Sequence, residues 1–213
     1  MSDRTNKYWL DRSDDSNTQR RKKQRFNRCR IRNLSFEQEM FERRKSYQLI
    51  FITLVIKKYL RDDVNFETMQ TLRRTLFQRI KDATRGILHD IHGLIWRQES
   101  GGSGDSRGDE NHHLHLVVFV SASRRDHVTA CDELGQYWVA LTRGWGDYDN
   151  GNRYAHSYKN KWGVAVGYLH RDDDEKRESL RKVIGLYMSK VTQAPVDREE
   201  DDKLSGRRKF GAD

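Results

Sequence analysis

Apolar residues along the chain fall into blocks whose spacing alternates between strand and helix. Residues 47–56, YQLIFITLVI, are β-branched and aromatic and long enough for a central strand. After a break at 62–65, Met69, Leu72, Leu76, Ile80, Ala83 and Ile87 recur every three or four positions, which is one face of an amphipathic helix. Residues 93–99, GLIWRQE, predict a second strand. Residues 100–111 are rich in glycine and serine and predict a loop, and 112–121, HHLHLVVFVS, predict a third strand.

Val128, Cys131, Leu134, Trp138 and Leu141 then predict a helix over 126–141. Residues 143–160, rich in Gly, Asp, Asn and Tyr, predict a long loop, and 162–170, WGVAVGYLH, a fourth strand. The last helix is predicted over 173–191. Its acidic start suits the positive end of the helix dipole, and Leu180, Val183, Ile184, Tyr187 and Val191 form its apolar face. The order β-α-β-β-α-β-α, with the second and third strands as a hairpin, predicts an α+β fold. Its expected form is a ferredoxin-like split βαβ arrangement: a mostly antiparallel central sheet with flanking helices.

Charge changes the picture at both ends. The 213-residue chain has a formal net charge of +9, and residues 1–46 hold 14 Lys/Arg against 7 Asp/Glu. Within them RRKKQRFNRCRIR, residues 20–32, carries eight basic residues, among them Arg20, Arg21, Lys22 and Lys23. Residues 1–45 are therefore expected to be a basic, largely disordered arm that lies along phosphates. Residues 46–192 form the folded domain and 193–213 a charged, loose tail. A basic excess suits a polyanionic partner, and no run of 18 apolar residues predicts a membrane span. The first residues carry no secretory pattern, and Cys29 and Cys131 stand in no metal-ligand spacing. The expected location is cytoplasmic.

The candidate chemistry starts at the histidines. On a strand, His113 and His115 point to one face and His112 and Leu114 to the other, so one ion can meet both imidazoles. In a hairpin, the end of the second strand lies beside the start of the third. That makes Glu99 a candidate third ligand, with Asp105, Asp109 and Glu110 of the loop as competing donors. Two imidazoles and a carboxylate leave open coordination positions and suit a divalent metal, Mg²⁺, Mn²⁺ or Zn²⁺, while non-haem iron uses a similar set.

Tyr187 and Lys190 are three apart on the last helix and share a face. A tyrosine at this spacing is most often a core aromatic. As a nucleophile, its phenol would need a nearby cation to favour the phenolate. Gly185 is expected to keep one side of that helix open. Arg124, Arg125, Arg143 with Trp145, and Tyr148, Tyr154 and Tyr158 are candidate nucleic-acid contacts, since arginines bind phosphates and aromatics stack on bases.

FITL at 51–54, HLH at 113–115 and YMSK at 187–190 occur in that order. This resembles the three-motif pattern of HUH endonucleases, the rolling-circle replication initiators. The finer match resembles the inovirus replication protein and prophage YagK/YfjJ C-terminal domain group, through IWRQE at 95–99 before the His-x-His strand and RRKFG at 207–211. The resemblance implies a single-tyrosine nickase of single-stranded or hairpin origin DNA. In it, Glu99, His113 and His115 hold Mg²⁺ or Mn²⁺, Tyr187 forms a 5′-phosphotyrosine link, Lys190 assists, and a host helicase and polymerase are partners. Two other readings stand beside it: a nucleic-acid-binding module without chemistry, and a metal-dependent phosphodiesterase that uses water.

Overall fold

The computed structural model describes residues 6–10, 14–101, 112–158, 163–191 and 204–211. The elements in chain order are α1 (Ser16–Arg43), β1 (Ser46–Ile56), α2 (Phe66–Asp82), α3 (Gly86–His89), β2 (Ile91–Glu99), β3 (His113–Ser121), α4 (His127–Leu141), β4 (Gly146–Asn150), β5 (Gly167–His170), α5 (Asp174–Lys182) and β6 (Ser205–Lys209). A π-helical turn, Val183–Tyr187, continues α5. Short polar side chains start the longer helices. Asp15, Asn65, Asp126 and Asp173 each accept a backbone N–H from the first turn of α1, α2, α4 and α5.

The strands form one six-stranded sheet in the order β4-β1-β3-β2-β6, with β5 beside the other half of β1, and every pairing is antiparallel. This is the expected α+β, ferredoxin-like arrangement. Alternation along the strands divides the core in two. Ile50, Ile52 and Leu54 of β1 and Leu114, Leu116 and Val118 of β3 face α2, α3 and α4. Tyr47, Leu49, Ile95, Val117 and Phe119 face α1 and the α5–π segment. Among the described residues no helix is long and apolar enough to cross a membrane.

The expected disordered arm is corrected by α1, a 28-residue helix that buries Phe26, Asn33, Phe36, Glu37, Met40 and Phe41. Those positions recur at helical spacing, but the intervening basic residues hide the stripe in a composition count. Before it, Tyr8 and Trp9 are also buried, and the Tyr8 ring stacks on Phe26 at 6.2 Å. The expected loose tail is corrected at β6, whose charged residues form an edge strand pinned by buried Leu204 and Phe210. Edge strands tolerate charge because one side of their ladder faces solvent. The expected loop over 143–160 contains β4, which pairs with the second half of β1. The fourth strand is shorter than expected and begins at Gly167, with residues 159–162 outside the described set. The helix expected to run through Ile87 stops at Asp82 and resumes as α3.

Glu37 fastens α5 to α1. Its buried carboxylate accepts from Arg177 Nε at 2.8 Å and Arg181 Nε at 3.0 Å. Removing one partner of a buried ion pair strands the other charge. Glu37→Ala is expected to lower stability by about 3 kcal/mol, at the low end for such pairs because Gln38 Oε1 still accepts from both guanidinium groups. A urea midpoint within error of the parent protein would refute this.

His92 on β2 is half-buried, and its buried Nε2 has no hydrogen-bond partner among the described residues. Burial, then the charge of Arg44, push its imidazole down to about 4. A histidine held neutral in the fold favours folding fully above its ordinary value of about 6.5, and that contribution is lost as pH falls through about 4. The loss is at most about 3 kcal/mol. His92→Gln is expected to flatten the fall of the urea midpoint between those pH values. An unchanged pH profile would contradict the burial argument.

Candidate metal centre and tyrosine site

Strand register builds the site. Val55 faces His113, which faces Glu99, and Thr53 faces His115, which faces Arg97. All of these side chains share the sheet face that packs against α1 and the π turn, because residues two apart on a strand point the same way. The apolar residues that follow on β3 fix the strand in the core, so the imidazoles stand on rigid backbone.

Glu99 is 1% exposed, and its Oε2 lies 3.5 Å from His113 Nε2 and 3.5 Å from His115 Nε2. The three ligand atoms all fall within 4.8 Å of one another, a group that could hold a metal ion. Their chemistry fits one: two neutral imidazoles and an anionic oxygen converge from one face. Asp105, Asp109 and Glu110, the competing donors, lie outside the described residues.

Electrostatics favour the deprotonated forms of Glu99 and His115. Burial alone would raise the Glu99 carboxyl, but hydrogen bonds from His113 and His115 and the charge of Arg97 outweigh it and hold the group well below the usual carboxylate range. Burial pushes the His115 imidazole down against the pull of Glu99. Thr53 Oγ1 lies 2.9 Å from His115 Nδ1. With a cation bound, a proton on Nδ1 donated to that hydroxyl would free the Nε2 lone pair for the ion, the way outer partners orient metal-binding histidines.

Tyr187 and Lys190 arrive from the helical layer over the same face. The Tyr187 hydroxyl is 2.9 Å from His115 Nε2, and the two rings meet edge to face at 5.2 Å. Lys190 Nζ contacts Glu99 Oε2 at 2.8 Å and lies 4.6 Å from the centre of the Tyr187 ring. The structure thus brings together all five residues singled out for chemistry: Glu99, His113, His115, Tyr187 and Lys190.

The segment carrying Tyr187 differs from the expected α-helix. From Val183 the backbone widens into a π turn, with Met188 N–H donating to Val183 O at 3.1 Å. π turns inside helices recur at functional sites. The Ile184 carbonyl accepts from Asn33 Nδ2 at 3.0 Å and from Ser189 Oγ at 2.8 Å. Gly185, expected to leave one side of the helix open, is instead buried. A methyl group there would stand 3.5–3.6 Å from Leu34 and Arg30 of α1.

Sequence reasoning missed two residues. Arg97 is 3% exposed, donates from Nε to Glu99 Oε1 at 2.5 Å, and donates from its terminal nitrogen to the Lys190 carbonyl. It therefore couples the metal group to the end of the π turn. Its signal was its place two before Glu99 on the same strand, which puts it on the same face. Thr53 lies within FITL, and its register opposite His115 is the signal that finds it.

The candidate nucleic-acid contacts divide. Arg143 and Trp145 occupy the exposed turn between α4 and β4, where Arg143 takes φ 54° and Trp145 is 44% exposed. This turn is at the metal end of the sheet, since Val55 pairs with both His113 and Asp147. Arg124 and Arg125 follow β3 at its far end, about 25 Å away at roughly 3.3 Å per strand residue. Arg124 is also engaged by Asp90 at 2.7 Å and Glu133 at 2.8 Å. Neither belongs to this site. Tyr148 is half-buried against Gly135 and hydrogen-bonds Gln136 and Asp132, Tyr154 is exposed, and Tyr158 ends a short 3₁₀ turn. Arg20, Arg21 and Lys23 are exposed on the first turns of α1, whereas Lys22 pairs with Asp14 at 2.6 Å.

Beside the phenol lies a cavity of about 280 Å³, whose walls include Thr53, His115, Asp149, Val164, Val166 and Tyr187. The charged groups at and beside it balance, Arg97 and Lys190 against Glu99 and Asp149, so a cation held by the Glu99–His113–His115 group would be what tips the region toward an anion. Comparison of the chain with family models, curated proteins and solved structures returns no match.

Proposed function

We propose that the chain nicks and rejoins single-stranded origin DNA as a rolling-circle replication initiator, with Tyr187 as nucleophile. The observation that carries this reading is the Tyr187 hydroxyl, 2.9 Å from a nitrogen of the Glu99–His113–His115 group. The Tyr187 ring packs in part against the core on the α1 side, but its oxygen aims at a cluster of metal-binding donors rather than into hydrocarbon.

In the proposed reaction the Tyr187 Oη–phosphorus bond forms and the bond from phosphorus to the 3′ oxygen breaks. The electron pair leaves on that oxygen, which takes up a proton, and the phenolic proton passes to solvent. The protein keeps a 5′-phosphotyrosine link, so attack by a later 3′ hydroxyl reverses the step and rejoins the strand. A Mg²⁺ or Mn²⁺ ion held by Glu99, His113 and His115 would supply charge neutralisation at the phosphate oxygens. Lys190 balances the charge that develops beside the phenol. Because its ammonium shares Glu99 Oε2 with the two imidazoles, it competes with a bound cation for that oxygen. The cavity beside Tyr187 offers room for the nucleotide next to the broken bond.

The test is incubation with a labelled hairpin oligonucleotide and Mn²⁺, followed by denaturing electrophoresis. The reading expects label on the protein that resists denaturant. Cleaved DNA without labelled protein would instead mean hydrolysis by water, and a bound but intact oligonucleotide would mean a binding module.

A further inference from the structure

A second charged feature lies at the open edge of the sheet, away from the tyrosine. A cavity of about 760 Å³ is lined by Arg32 of α1, Arg73 and Arg74 of α2, and Arg207 and Arg208 of β6. Trp96 and Phe77 contribute its aromatic wall. Several of these guanidinium groups rest against aromatic rings or side-chain amides. Arg73 lies 3.8 Å from the centre of the Trp96 ring, and Arg208 lies 5.6 Å from that of Phe77. Gln70 Oε1 accepts from Arg73 at 3.0 Å and Arg74 at 3.3 Å, and Arg207 donates to Asn33 Oδ1 at 2.9 Å. Among the described residues, Arg32, Arg74, Arg207 and Arg208 have no carboxylate partner. Burial, helped by the neighbouring Arg32 charge and opposed by Cys29, pushes the Arg207 guanidinium down.

The cavity does not stand alone. Arg21, Arg25, Arg28 and Arg32 recur at spacings of four, three and four on α1, so they form one stripe about 16 Å long that ends in the cavity. On its other side, Arg97 pairs with Ser205 in the β2–β6 ladder, and Glu99 follows two residues later. The groove therefore runs beside the strand that carries the metal group.

We propose that this arginine groove and the α1 stripe bind the sugar-phosphate backbone of the same nucleic-acid strand, as a contact separate from the tyrosine site. A polymer with regularly spaced anions matches a linear track of guanidinium groups, each of which can clasp a phosphate through two N–H donors. A flat anionic membrane would not reach Arg73, which is 5% exposed at the back of the cavity. The ligand class rests on the nicking proposal; the groove's contribution to binding is measured without it.

The experiment uses the full chain and fluorescence anisotropy with a single-stranded oligonucleotide across a salt series. Arg74→Gln with Arg208→Gln alters two exposed side chains. Each lost phosphate contact lowers the salt slope by about 0.7, so the pair is expected to lower it by about 1.4 and to weaken binding about 25-fold at 0.1 M salt. Lys81→Gln with Arg85→Gln, which removes the same charge elsewhere, is expected to leave the slope unchanged. An unchanged slope in the groove pair overturns the proposal. So does an equal loss in the control pair. Adduct formation by the unaltered chain reads nicking separately: a lowered slope without any adduct keeps the groove and sinks the nickase, and an adduct with an unchanged slope does the reverse.

Discussion

Tyr187→Phe is expected to lower covalent adduct formation on a hairpin oligonucleotide by at least about a thousandfold, because it removes the only atom of that side chain able to attack phosphorus. Binding should persist. The phenylalanine ring keeps the edge-to-face contact with His115 and stays beneath the Lys190 ammonium. The fold loses one hydrogen bond to a half-buried partner, worth about 1 kcal/mol. The variant should therefore show a slightly lower urea midpoint, match the parent protein in oligonucleotide affinity and in response to Mn²⁺, and differ sharply in the adduct alone. Full-strength adduct in this variant would refute the assignment of Tyr187, and loss of binding with loss of adduct would point to a structural tyrosine.

Much of this site was legible in the chain because strand alternation is a rigid rule. Once β2 and β3 are read as a hairpin, parity alone puts His113, His115 and Glu99 on one face, and the register fulfils it pair by pair. The parts that escaped depend on contacts between distant segments. The stripe Phe26, Asn33, Phe36, Met40 lies in a run dominated by arginine and lysine, and its burial becomes visible only when the sheet face it covers is known. β6 carries three charges in five residues, so no propensity marks it as a strand. Its place is fixed by Leu204 and Phe210 at its ends and by the ladder with β2. The π turn also has no pattern of its own, since Val183, Ile184 and Tyr187 fit an α-helix equally well. It is set by Asn33 and Arg97, from α1 and β2, which take up the carbonyls of Ile184 and Lys190.

The basic segment shows how this affects experiments. Read as a disordered arm, it invites deletion of residues 1–33 to test its part in DNA binding. Phe26 and Asn33 are 1% exposed in the core, so that deletion would damage the fold, and a loss of binding would say nothing about charge. Single charge changes on the exposed face of α1 are the sound test, because they leave the buried stripe intact.

His113→Ala and Lys190→Met separate the two roles assigned to the charged cluster. Even an outer partner of a metal site is worth about 10- to 100-fold in affinity, so losing the imidazole of His113 is expected to weaken Mn²⁺ binding by at least about 100-fold and to remove the adduct with it. Lys190→Met acts in the opposite direction on the metal. It takes away the ammonium that sits 2.8 Å from Glu99 Oε2, so the carboxylate becomes more available and Mn²⁺ is held at least as tightly. Adduct formation should still fall by about 100-fold, because the charge beside the developing phenolate is gone. The buried carboxylate then has Arg97 as its remaining cation, so the variant should melt at lower temperature without metal and recover when Mn²⁺ is added. The pH dependence has a definite sign as well. His115 and Glu99 are both held below their ordinary values, so neither needs to lose a proton at neutral pH, and Mn²⁺ affinity should decline only as pH falls into the acid range. Isothermal titration of both variants with Mn²⁺, at neutral and acid pH, checks each step. If Mn²⁺ binding is the same in His113→Ala as in the parent chain, the histidines do not form the metal site. The geometry around Tyr187 would then need another explanation, for without a cation at those nitrogens a phenol 2.9 Å away is an ordinary hydrogen-bond donor.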